Sequence, residues 1–181
     1  MQRQVLAGAT LAAALFAFSS SAARAEEFTA TLSGLNEVGG LGAGETGAIN
    51  SPGEGTVRIV LDEKAQTLSY TLTYSGLASV LQSHIHFGKA RVAGGIIVFF
   101  CSNLANGPAG TPVCPASAGT VSGVLTPASV VGPAAQHISA GDFTGLVTAL
   151  TSETAYANIH TTALPAGEIR GQIHRAHRRD D

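Results

Sequence analysis

Residues Thr67 to Tyr74 read TLSYTLTY, a strict alternation with Leu68, Tyr70, Leu72 and Tyr74 on one side and Thr and Ser on the other. In an extended chain successive side chains point to opposite faces. The pattern therefore fits a strand with one face on a core and one in water, and it does not fit a helix. Gly55 to Leu61 (GTVRIVL) puts Val57, Ile59 and Leu61 on one face, and the polar stretch Asp62 to Gln66 joins the two runs. An antiparallel pair is the expected arrangement. Phe28 to Leu32 (FTATL) alternates in the same way, and Gly119 to Leu125 (GTVSGVL) is a further short strand. Ile96 to Phe100 (IIVFF) is an unbroken apolar run, expected to be a strand buried on both faces. Only Phe143, Leu146, Val147 and Leu150 fall at helical spacing, behind Asp142 or Ser139 as N-cap. About eight strands and one short helix predict an all-β sandwich or Greek-key barrel.

Export is expected from the other end of the chain. Arg3, the apolar run Val5 to Phe18 and the small-x-small triplet Ala23-Arg24-Ala25 make residues 1–25 read as a signal peptide. The apolar run is too short for a membrane span, so no transmembrane segment is expected after its removal. The mature part keeps eight Lys and Arg against all twelve acids, a formal charge of −4. Without clustered cations a nucleic-acid partner is excluded. The basic run His174 to Arg179, ending in Asp180 and Asp181, reads as a solvated tail, giving one domain over 26–174 and a charged tail over 175–181. The mature part contains two cysteines, Cys101 and Cys114. In an oxidising periplasm or extracellular space an even count favours a disulfide, and no CxxC spacing supports a metal role for them.

Two stretches carry chemistry. In Ser83 to Gly88 (SHIHFG), His84 and His86 share a face if the segment is a strand. Two adjacent imidazoles repel when protonated, and a bound copper or zinc ion would relieve this. In Tyr156 to Ile173 (YANIHTTALPAGEIRGQI), a Pro-Ala-Gly turn separates two runs expected to pair as a hairpin. The first run puts Tyr156, Asn158 and His160 on one face, and the second does so with Glu168, Arg170, Gln172 and His174. His84, His86 and His160 are the candidate metal ligands, with Asn158, Glu168 and Arg170 as a supporting polar cluster. Glu168 and Arg170, at i and i+2, are suited to a charge-assisted pair. The same residues equally fit a solvent face, or a satisfied buried network that pins the strands. Glu37, in the glycine-rich stretch after the first strand, reads as a solvated acid. No nucleophile elbow, phosphate loop or HExxH is present, and no catalytic residue is assigned.

FTATLSGLNEV, SHIHFGKARVAGGIIVF and YANIHTTALPAGEIRGQI together resemble the CHRD, or chordin-type, domain family in its exported bacterial form. The resemblance implies an immunoglobulin-like β architecture and a non-enzymatic binding or structural module, with an unidentified protein or glycan as partner. A second resemblance, to copper/zinc superoxide dismutases, rests on the His-x-His strand. It implies His84, His86 and His160 as ligands and Arg170 as an anion-guiding arginine. The chain departs from that pattern in having no histidine between His86 and His137, so a bridging ligand and a zinc cluster are missing.

Overall fold

A computed structural model describes residues 25–39 and 47–176. Residues 1–24 of the segment expected to be a signal peptide and His177 fall outside the described residues, as does most of the expected tail. Nine strands and one α-helix are present among the described residues: β1 (Glu26–Ser33), β2 (Glu54–Asp62), β3 (Thr67–Ser75), β4 (Val80–Phe87), β5 (Gly95–Ser102), β6 (Gly119–Leu125), α1 (Phe143–Thr151), β7 (Ala155–Thr161), β8 (Ile169–Gln172) and β9 (His174–Arg175). The all-β class with one short helix holds. The strands form a single antiparallel sheet in the order β5-β4-β7-β8-β1-β2-β3-β6, with β9 beside β1. The sheet curls until its ends approach. Tyr70 on β3 donates to the Phe100 carbonyl on β5 at 2.5 Å, and their rings lie 4.8 Å apart.

Alternation decides which faces go inside. Phe28, Ala30 and Leu32 of β1, Val57, Ile59 and Leu61 of β2, and Leu68, Leu72 and Tyr74 of β3 are all buried in one core. The intervening Thr and Ser face solvent. Burying each aliphatic side chain contributes roughly 1.5–3 kcal/mol, enough to hold this register against slippage. Asp142 caps α1 by accepting from the Gly145 N–H at 2.8 Å, and Phe143, Leu146 and Leu150 pack into the core as their spacing predicts. Cys101 and Cys114 are joined, closing a loop over the end of β5.

His174 departs from the expected solvated tail. It pairs with Thr29 in the sheet, and its Nδ1 lies 3.0 Å from the Glu153 carboxylate. Backbone satisfaction accounts for this, because β9 extends the ladder of β1 beyond the end of β8.

Candidate metal centre

Three strands build the site. β4 and β7 pair through His84 with Asn158 and His86 with Tyr156, and β7 and β8 pair through Asn158 with Arg170. The Pro-Ala-Gly turn thus forms the expected hairpin. Its inward face carries Ile85, Ala157, Ile159 and Ile169 into the core. Its opposite face carries His84, His86, Tyr156, Asn158, His160 and Arg170, and these are buried as well. The connections on either side of the sheet roof this polar face. The β4–β5 connection crosses at Lys89 to Gly94, the β1–β2 connection at Glu37, and the β7–β8 turn at Pro165.

Hydrogen bonding sets the imidazole tautomers. A carbonyl can only accept, so His86 donates from Nδ1 to the Gly94 carbonyl (3.0 Å) and His160 donates from Nδ1 to the Pro165 carbonyl (2.9 Å). Each is left with a lone pair on Nε2. The His160 Nε2 lies 3.2 Å from the His84 Nδ1, so one proton is shared between them. About 3.3 Å is the edge of a tetrahedron with bonds of about 2.0 Å to nitrogen, so this pair already has the separation of two zinc ligands. The three side chains offer ligand atoms within 4.8 Å of one another.

Burial keeps these rings neutral. It is the main cause lowering the His84 pKa to about 2, with the neighbouring charges of His160 and His86 adding to it. Burial also lowers His86 to about 4 against the opposing Gly94 carbonyl, and lowers His160 against Pro165. Neutral imidazole is the form that ligates metals. Metal-bound histidines commonly donate their second ring nitrogen to a carbonyl, as His86 and His160 do here.

Arg170 is 2% exposed, with its guanidinium carbon 3.4 Å from the centre of the Tyr156 ring. Tyr156 in turn stacks on His86, at 4.8 Å between centroids and 5° between planes. The Nη2 of Arg170 donates to the Lys89 and Val92 carbonyls, each at 3.0 Å. Glu168 does not join this group. Its carboxylate accepts from Ser51 and Thr161, each at 2.6 Å, and among the described residues it forms no ion pair with Arg170. The expected Glu168–Arg170 pair is therefore corrected: Glu168 precedes the first paired residue of β8, and its side chain turns to the core side of the sheet where Thr161 lies.

Glu37 occupies the place expected of Glu168 on the polar face. It is 3% exposed, accepts from the Val38 and Gly39 N–H groups at 2.9 and 3.0 Å, and accepts from the Asn158 amide. Burial raises its pKa, opposed first by those backbone N–H groups and then by Arg170. Reading it as solvated overlooked that it is an isolated acid in a loop otherwise poor in charge. Two glycines permit these approaches. A Cβ on Gly94 would lie 1.7 Å from the Phe87 carbonyl oxygen, and one on Gly167 (φ 135°) would meet both Asn158 and Glu37 at 2.5 Å.

Five of the six buried side-chain polar atoms without a hydrogen-bond partner among the described residues lie on this one face. They are His84 Nε2, His86 Nε2, Asn158 Oδ1, Arg170 Nη1 and Gln172 Oε1. Such atoms are rare in folded proteins and costly, so their concentration here marks the site.

The family model of the CHRD domain matches residues 28–173. The chain belongs to the CHRD domain family. A comparison with curated proteins finds no match. The match begins at Phe28 within β1, runs through β8 of this CHRD domain and includes the whole histidine cluster.

Proposed function

We propose that this CHRD domain is an exported, non-enzymatic binding module whose ligand is a single copper or zinc ion held by His84, His86 and His160. The observation that carries this reading is the set of three neutral, buried imidazoles with ligand atoms within 4.8 Å of one another, two of them oriented by backbone carbonyls. A buried polar network alone would have to leave the lone pair of His86 Nε2 unsatisfied. A bound cation takes up the free lone pair of His86 Nε2 and, by ligating His84 Nδ1 and His160 Nε2, moves the proton between them to His84 Nε2. Arg170 and Tyr156 then hold the His86 ring in place from one side. The disulfide agrees with export. Dismutase-like redox chemistry would use the same three histidines, but this chain has no bridging histidine for a second metal.

The deciding experiment is metal analysis of the purified protein, before and after incubation with copper(II) or zinc, alongside the His84→Ala/His86→Ala double variant. Near-stoichiometric metal in the parent and none in the variant is the expected result. If the parent takes up no metal and the variant is merely less stable, the histidines serve the fold and the module's ligand lies elsewhere.

A further inference from the structure

A cleft of about 980 Å³ opens on the outer side of Arg170, between the β1–β2 connection and the β4–β5 connection. No histidine of the cluster lines it. We infer that this cleft is a second binding site, for a small organic carboxylate with an apolar body. Its volume is at the upper end of the range of small-molecule sites, roughly 300–1,000 Å³.

The charge of the cleft favours an anion. Arg91 stands at the rim, exposed and held at φ 63°, and among the described residues it makes no ion pair or hydrogen bond. Arg170 lies at the base, with no carboxylate within 4.0 Å and with Nη1 unpartnered. Glu37 also lines the cleft, but its oxygens are taken up by Val38, Gly39 and Asn158. Arg175 lines the cleft too but is paired with Glu26, so two uncompensated arginines against one internally bonded acid leave a positive cleft on a chain of formal net charge −2. A guanidinium fork matches the plane of a carboxylate.

The walls favour an apolar body on that anion. Leu35 is 73% exposed and Val92 is 54% exposed, and both line the cleft with Val38. Covering them would remove apolar surface from water. One wall is also pre-organised, because Arg170 Nη2 holds the Lys89 and Val92 carbonyls and so fixes the loop that presents Arg91. A wall already held in place loses less affinity to ordering.

Calorimetric titration of the purified protein with octanoate, octan-1-ol and inorganic phosphate tests this. Octanoate is expected to bind at least about tenfold tighter than either comparator, since only it has both the charge and the chain. Arg91→Ala is expected to weaken octanoate about tenfold, and Leu35→Ser to weaken it less. Lys64→Ala, in the β2–β3 turn, should leave it unchanged. All three residues are exposed, so the variants should fold. Octanol binding as tightly as octanoate, unchanged octanoate affinity in Arg91→Ala, or no octanoate binding at all would each overturn the inference. Protein stripped of metal with EDTA should retain octanoate binding, which separates this site from the metal centre.

Discussion

The two halves of the sheet obey the same alternation and end in different environments. In β1, β2, β3 and β6 one face is core and the other is open to water, so Thr29, Thr31, Thr71 and Thr73 are exposed. In β7 all seven residues are buried, although Tyr156, Asn158 and His160 alternate with Ala157 and Ile159 in the same two-residue rhythm. The difference comes from what covers the second face. Connections from three parts of the chain close over β4, β7 and β8, and polar groups removed from water in this way must find partners or a ligand. A hydroxyl on the first half is solvated at no cost, while an imidazole on the second is held neutral.

The sharpest way to break this contrast is acid. The folded-state pKa values of His84 and His86 lie below 6.5, at about 2 and about 4, so the unfolded chain binds their protons first. Their contribution is therefore fully present above about pH 6.5 and is lost as pH falls below it. The loss continues toward about 4 for His86 and about 2 for His84. The slope approaches about 1.4 kcal/mol per pH unit for each histidine once the unfolded chain is protonated, so the metal-free protein should lose about 3 kcal/mol between pH 6.5 and 5. Urea midpoints measured across that range would show it, and a His84→Phe variant should have the shallower slope. An equal slope in both would mean that water reaches the polar face.

The first half should respond to lost volume. Leu72→Ala, at a fully buried β3 position, is expected to cost about 3 kcal/mol in urea unfolding, with no effect on metal uptake. Arg170→Met keeps much of the side chain's bulk but removes two hydrogen bonds to carbonyls and the cation over Tyr156. A loss of about 2 kcal/mol is expected, together with weaker metal binding, because His86 loses its support through Tyr156. Retention of full metal affinity would sever that link. The smallest effect is expected from the other half's arginine. Arg58 pairs with Glu27 at 2.6 Å, but the two side chains are 58% and 39% exposed. Arg58→Ala should change stability by no more than about 0.5 kcal/mol, and by less at high salt. Two arginines on one sheet, each well bonded, would thus differ severalfold in their worth through burial alone.

Much of the fold was legible in the residues themselves. TLSYTLTY, GTVRIVL and FTATL specify strands and their core faces because the two-residue period is local and the core takes whichever face is apolar. The helix at Phe143–Thr151 and the β7–β8 hairpin follow equally local rules of capping and turn formation. The sharing of a face by His84 with His86, and by Asn158 with His160, follows from the same period. That β4 and β7 lie side by side, bringing His160 to His84, is a long-range pairing between residues 76 positions apart. No local pattern encodes it. The exchange of Glu168 for Glu37 was equally invisible. Which carboxylate reaches the polar face depends on where the chain enters β8 and on how the β1–β2 connection folds back. The sequence by itself determined the strands, their inner faces and the residue types available for a site. The tertiary structure decided which polar face would be covered, because burial depends on distant segments passing over it, and that covering turns a row of polar side chains into three neutral imidazoles beside a buried arginine.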